Sequence, residues 1–263
     1  MNNLIWICSY PKSGNTWVRS IIFAALMGEV SLNKFADVVP AFNASAIADT
    51  SNDATDPLER EVLCWDKAQH IASTKASPKS QMFKTHNAAA VVNGVEFPNK
   101  ELTSKAVYIV RDPRDIALSY ARHYDLDLNA AIEALLDEKN CTFDVGRAEF
   151  LSSWANHILS WQKKDFPVLI LRYEDLLSAP YLQIPRLLAF LGVKTNLSIA
   201  SLVELTSFTN LKRLEEKGGF DEAVRQQSFF WRGKSGFAKS FIGANYKDLE
   251  SSFGEIMRSF RYL

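Results

Sequence analysis

The stretch Ser9-Tyr10-Pro11-Lys12-Ser13-Gly14-Asn15-Thr16-Trp17 constrains this chain more than any other. It joins a short apolar run, Leu4 to Cys8, to a pattern with apolar residues at helical spacing through Trp17, Ile21, Ala24 and Ala25, which predicts strand, tight loop, helix. In such a loop, successive backbone N–H groups and a helix N-terminus face an anion. Gly14 permits close approach, and Lys12, Ser13 and Thr16 add a charge and hydroxyl donors. One helix-terminus contact is worth about 0.3 to 2 kcal/mol, so several donors must act together. An ordinary strand-to-helix turn is the competing reading. The loop is not the GxxxxGK(S/T) loop of nucleotide triphosphatases, because Lys12 precedes the glycine, while the later Gly233-Lys234-Ser235 follows no predicted strand.

Further along, Met82 to Thr85 and Ala106 to Val110 read as strands. The second is followed by Arg111-Asp112-Pro113, in which Asp112 caps and Pro113 opens a helix running to about Tyr124. Residues 128–138, 147–163, 180–191 and 198–214 read as helices, Val168 to Leu171 as a fully buried strand, and 246–260 as a C-terminal amphipathic helix. Residues 29–80 lack clear periodicity and predict short helices and loops around a pocket. The glycines and basic residues of 217–244, including Gly243, predict a mobile lid. No internal repeat or low-complexity tract is present. Strands alternating with helices predict one α/β domain over 1–263, with a central parallel sheet flanked by helices and ligands beyond the carboxyl ends of the strands.

At 263 residues the chain can bury a large core, and 30 acidic residues balance 30 basic ones. A neutral chain has no global field toward nucleic acid or anionic membranes, so any anion site is local. Cys8, Cys64 and Cys141 are odd in number and widely spaced, which argues against a disulfide framework and a zinc site. No metal-ligand spacing, membrane span or export signal is seen, and the expected compartment is the cytoplasm. Oligomeric state is not readable.

Other constellations qualify as sites. Arg111 leaves a strand end as a fixed guanidinium, and Ser119, about two turns into the next helix, can reach the same anion. In Phe83-Lys84-Thr85-His86-Asn87, strand alternation puts Lys84 and His86 on one side, although a lone histidine is more often structural. Trp154, His157 and Trp161 fall at helical spacing and are assigned to the core. Glu174 and Asp175 are read as helix-capping carboxylates. Phe23, Phe35, Phe42, Phe220, Phe229 and Phe230 fit an acceptor pocket or core packing equally.

Together these segments resemble the cytosolic-type sulfotransferase family. Tyr10 to Trp17 is similar to its YPKSGTTW phosphosulfate loop, with Asn15 in place of a Thr. Tyr108 to Tyr120 resembles its 3′-phosphate motif RNPKDVAVSYY, with Asp112 for Asn. Lys84-Thr85-His86 resembles the stretch holding the family's catalytic base, Leu171 to Leu176 its YEDL segment, and Thr206-Ser207-Phe208 its TSF segment. Phe230 to Gly236, continuing to Lys239, resembles the closing loop RKGxxGDWK, although here the order is Arg-Gly-Lys and no Asp-Trp follows.

The resemblance implies a P-loop-like sulfotransferase fold and a donor, 3′-phosphoadenosine 5′-phosphosulfate (PAPS), that leaves as PAP without a metal. It implies His86 as base with Lys12 and Lys84 stabilising charge. It also implies a nucleotide site of Lys12, Ser13, Gly14, Asn15, Thr16, Trp17, Arg111, Ser119, Tyr173, Thr206, Phe208, Arg232, Gly233 and Lys234. The implied acceptor is a small-molecule hydroxyl or amine, selected by residues 29–80 and 215–240. A nucleotide kinase would need a Walker lysine and magnesium ligands that the chain lacks. An inactive nucleotide-binding module is the non-enzymatic alternative, which the joint presence of Lys12, Lys84 and His86 opposes.

Overall fold

The structure is a computed structural model, and the residues it describes are 3–49, 54–74, 81–144, 147–224, 227–238 and 246–263. Lys239 and Gly243 lie outside the described residues.

Strand β1 (Leu4–Ser9) runs through the loop into helix α1 (Asn15–Met27), as expected, and a 3-10 turn (Leu32–Asp37) and helix α2 (Ala44–Ala48) follow. Helix α3 (Pro57–Thr74) corrects the expectation of short pieces in 29–80: it is an 18-residue helix. The Asp56 carboxylate accepts the Glu59 N–H at 2.8 Å at its start, a cap signal hidden in a polar stretch. Strands β2 (Met82–Thr85), β3 (Ala90–Val92), β4 (Val95–Phe97) and β5 (Thr103–Val110) lead to helices α4 (Pro113–Tyr124) and α5 (Leu128–Leu136). Asp112 caps α4 by accepting the Arg114 N–H, with Pro113 in the first turn.

The expected helix 147–163 is in fact two elements. Residues Arg147–Phe150 form strand β7, paired antiparallel with β6 (Cys141–Asp144), and helix α6 (Trp154–Gln162) starts only after Ser153, whose hydroxyl caps it. Ser152-Ser153 is an N-terminal signal that separates an extended segment from a helical one. Strand β8 (Val168–Arg172) then passes directly into α7 (Tyr173–Ser178) and α8 (Pro180–Leu191). β8 is half-buried in alternation rather than buried throughout. The single helix expected over 198–214 is also two, α9 (Ile199–Leu205) and α10 (Phe208–Gly218), because Ser207 caps a new start. Helix α11 (Tyr246–Ser259) completes the chain.

The central sheet is parallel, in the order β2-β1-β5-β8. Alternation along its middle strands feeds two cores. Leu4, Trp6 and Cys8 of β1 and Ala106, Tyr108 and Val110 of β5 pack on one face, while Ile7, Val107 and Ile109 pack on the other beneath α1 and α8. Phe23 and Phe35 belong to the second core and Phe42 to the first, so these three are packing residues. Among the described residues no helix is long and apolar enough to cross a membrane.

Trp6 shows what holds the first core. It is fully buried, its ring lies 5.1 Å from Phe42 and 4.9 Å from Phe97, and its Nε1–H donates to Thr103 Oγ1 at 3.0 Å. Trp6→Ala removes those contacts and leaves a cavity, and a loss of about 3 to 5 kcal/mol in urea unfolding is expected.

Candidate active site

Each middle strand ends at the same edge of the sheet, and a cavity of about 450 Å³ opens there. The loop after β1 supplies its floor. Lys12 has φ +67° and Gly14 φ +104°, left-handed conformations that curl the backbone toward the helix N-terminus. Gly14 is needed for a second reason: a Cβ there would lie 2.7 Å from the Tyr173 ring. Tyr173 stands at the end of β8, as expected, and the Arg111 guanidinium lies 4.2 Å from its centroid. Arg111, at the end of β5, donates to the Lys12 carbonyl at 3.0 Å and the Lys234 carbonyl at 3.2 Å. It thereby ties the first loop to the last.

Of the residues expected to hold the nucleotide, Lys12, Gly14, Asn15, Thr16, Trp17, Arg111 and Ser119 line the cavity. Tyr173, Phe208, Arg232, Gly233 and Lys234 do so as well. Ser13 and Thr206 do not. Thr206 acts behind Trp17: its carbonyl accepts the indole Nε1–H at 2.9 Å, while its hydroxyl donates to the Leu202 carbonyl.

Two side chains of this loop and helix start are engaged within the chain. Asn15 donates from Nδ2 to the Ile7 carbonyl at 3.0 Å and to Ser9 Oγ at 3.3 Å, so its amide hydrogens are committed to the strand. Thr16 Oγ1–H donates to Glu222 at 2.9 Å rather than into the cavity. Backbone N–H groups, the Ser13 hydroxyl and Lys12 are left as the loop's donors toward a ligand.

The residues present fit an anionic nucleotide. Ser13 Oγ and Arg111 Nε are buried donors without a hydrogen-bond partner in the chain, one in this loop and one at the neighbouring strand end. Gly233, at φ +61°, is pressed against Phe208, whose ring carbons would lie 2.2 Å from a Cβ. The segment expected as a lid is docked where it is described: Asp115 accepts the Gly236 N–H at 2.7 Å and the Ala238 N–H at 3.0 Å. Arg122 also donates to the Ser228 carbonyl. Among the described residues, no group of three or more His, Cys, Asp or Glu side chains is arranged to hold a metal ion.

Lys84 and His86 both line the cavity, as strand alternation implied. His86 Nδ1 lies 2.7 Å from the Ser9 carbonyl, which requires that nitrogen to carry the proton and leaves Nε2 as a lone pair. Burial, followed by the charge of Lys84, pushes the His86 pKa well below its usual value, so the ring is neutral.

Sequence reasoning missed how this histidine is held. The His86 N–H donates to Glu149 at 2.7 Å, and the His86 carbonyl accepts from His157 Nε2 at 2.9 Å. The other nitrogen of His157 accepts from the Tyr108 hydroxyl at 2.8 Å. Trp161 donates to the Asn87 carbonyl at 3.1 Å. The core residues His157 and Trp161 therefore also fix the loop that carries His86. Glu149 was hidden because its strand was read as helix. Glu174 and Asp175 do not cap α7: Glu174 accepts from the Asp112 N–H and the Tyr262 hydroxyl, and Asp175 pairs with Arg172.

The remaining wall is unevenly drawn from the expected segments. Among the described residues of 29–80 only Ala41 borders the cavity, whereas 215–240 contributes Asp221, Glu222, Val224, Phe229, Phe230 and Trp231 beside the loop residues. Phe220 stacks on Phe230 behind that wall. Thr142, Arg147 and Glu149 of the β6–β7 hairpin supply a third side.

Comparison with known proteins gives this arrangement a family. The sulfotransferase domain family matches residues 2–255. The chain is 26% identical to sulfotransferase 1B1 of dog, over 93% of this chain and 77% of that protein. It is 26% identical to cytosolic sulfotransferase 8 of Arabidopsis thaliana, over 90% of this chain and 71% of that protein.

The fold superposes on mouse sulfotransferase SULT7A1 complexed with PAP at a TM-score of 0.64, with 24% identity, covering 98% of this chain and 86% of the other. It superposes equally, at 0.64, on retinol dehydratase in complex with androsterone and PAP, with 21% identity and coverage of 97% and 80%. The chain belongs to the sulfotransferase domain family, and its fold is the P-loop-like α/β arrangement of those enzymes.

Two outcomes follow from the site's geometry. Burial first, against hydrogen bonding to the His86 carbonyl, lowers the His157 pKa from 6.5 to about 4. The unfolded chain takes up that proton first, so stability is complete above 6.5 and falls as pH drops toward 4, by on the order of 3 kcal/mol for His157. Urea unfolding between pH 7 and 4 measures the slope, and His157→Gln should flatten it. Gly233→Ala forces a side chain into the Phe208 ring at positive φ, and a loss of about 1 to 3 kcal/mol in the same assay is expected.

Proposed function

We propose that this sulfotransferase moves a sulfuryl group from PAPS to a hydroxyl or amine of a small-molecule acceptor, with His86 as general base. The observation that carries the reading is the tie between His86 Nδ1 and the Ser9 carbonyl. It leaves Nε2 as the basic nitrogen of a neutral imidazole, in a residue that lines the same cavity as the loop after β1, Lys12 and Lys84.

Support for the donor comes from the loop after β1, from Arg111 and Ser119, which line the same cavity, and from neighbours of the same fold whose complexes contain PAP. Retinol dehydratase, one of them, is complexed with androsterone, which supports a small-molecule acceptor.

PAPS supplies an electrophilic sulfur joined to a phosphate leaving group. His86 Nε2 takes the acceptor's proton as its oxygen or nitrogen bonds to sulfur, and Lys12 and Lys84 meet the negative charge left on the departing phosphate oxygens. Most of the acceleration rests on alignment and fixed charge, and the base adds about 10² to 10⁴-fold. Tyr173, Trp17 and Phe208 offer ring surfaces to the adenine, and Arg111 with Ser119 takes the 3′-phosphate.

Calorimetric titration with PAP, run beside ADP and ATP with and without magnesium, tests the donor. Tight, metal-independent binding of PAP alone is expected. A preference for ATP with magnesium would make the protein a kinase, and absence of binding would make it an inactive module. His86→Ala should abolish transfer while leaving PAP affinity nearly intact, and unchanged turnover would remove His86 from the reaction. Arg111→Ala should erase the preference for 3′-phosphorylated nucleotides.

A further inference from the structure

Two lysines line one cavity, and both must be cationic to meet a departing phosphate. The Lys12 ammonium lies 4.4 Å from the centroid of the Phe229 ring, and Lys84 is buried in β2. Each also faces cations. Lys84, Arg111 and Arg122 act on Lys12, and Arg147 of β7 and Arg19 of α1 act on Lys84. Burial comes first among the effects and, even with Glu222 acting the other way, the Lys12 pKa falls from 10.5 to about 7 and that of Lys84 falls as well.

One anion, Glu222, lines the same cavity and acts on both lysines. The Glu222 carboxylate lines the cavity, accepts the Thr16 hydroxyl at 2.9 Å and is paired with the Arg19 guanidinium. Arg19 is 3% exposed and is anchored in turn, its Nε–H donating to the Val39 carbonyl at 3.2 Å. Glu222 is therefore fixed from two turns of α1. Among the described groups acting most strongly on Lys12 it is the one negative charge. Lys84 has a second, Glu149, whose Oε1 is engaged by the His86 N–H.

Burial alone would raise the pKa of Glu222, but Arg19 and Lys84, with the two hydrogen bonds, bring it to about 2. It carries a full charge at neutral pH and is no rival base to His86.

We propose that Glu222 is an electrostatic positioning residue: held by Arg19 and Thr16 beside the phosphate loop, its carboxylate keeps Lys12 and Lys84 cationic during sulfuryl transfer. This role rests on the sulfotransferase reading of the site. It differs from a structural tie because a neutral side chain of the same shape could bridge Thr16 and Arg19 but could not hold protons on the lysines.

The test compares wild type, Glu222→Gln and Glu222→Asp in the full chain. The alkaline limb of kcat/KM for sulfuryl transfer should move to lower pH by about 1 unit in Glu222→Gln, which is a tenfold loss on the alkaline side, with little loss at pH 6. Glu222→Asp should restore the limb. The ε-carbon resonances of 13C-labelled Lys12 and Lys84 should titrate lower in Glu222→Gln by the same amount. An equal loss at every pH, or lysine titrations that do not move, would overturn the proposal. If the Gln variant does not fold, Glu222→Ser supplies the neutral comparison. The lysine titration needs neither donor nor acceptor, so it stands apart from PAP binding, whose failure would instead count against the sulfotransferase reading.

Discussion

The position of β1 between two parallel partners is the constraint on which the rest of the site depends. A parallel strand paired on both sides has no freedom to slide: Ile5 to Cys8 are in register with β2 on one flank, and Ile5 to Ser9 with β5 on the other. Its last residue, Ser9, is therefore a fixed point. The next residue begins the anion loop, while the Ser9 carbonyl sets the protonation of His86. One strand end orients both His86 and the loop before α1, and the pairing of β1 with β2 sets Lys84 in register with Ile7.

Much of this was legible in the residues. The run Leu4 to Cys8 ending in Ser-Tyr-Pro-Lys-Ser-Gly announced strand, loop and helix, and Asp112-Pro113 announced the start of α4. Alternation placed Lys84 and His86 together. These signals are local, and local chemistry decides them. What stayed hidden was decided at a distance. Arg147 to Phe150 forms a strand because Cys141 to Asp144 pairs with it, and no periodicity of its own says so. Thr16 carries a hydroxyl suited to an anion, but a carboxylate 206 positions later takes its hydrogen. His157 reads as a core residue because it is one, and its second duty appears only when the His86 carbonyl is seen against it.

The cavity also shows how a protein with no net charge manages a strongly charged reaction. Positive groups are concentrated at one edge of the sheet, and Glu149 and Glu222 are placed among them. Each carboxylate is fixed by hydrogen bonds to a backbone or a side chain that has no freedom of its own. In a medium of low polarizability, the placement of such a charge matters more than the number of charges.

The ties across the site also bear on the order in which the chain acquires it. Arg111 reaches back 99 residues to Lys12 and forward 123 to Lys234. Thr16 finds its partner near the far end of the chain. Contacts this distant are made only after a long loop has been closed, so they are late events in folding. As the chain emerges from synthesis, β1 and its loop are made first, yet they wait for almost the entire remaining sequence before their donors are set. Catalytic competence is therefore withheld from every shorter nascent chain, and only one that has reached the 220–238 segment can assemble the cavity.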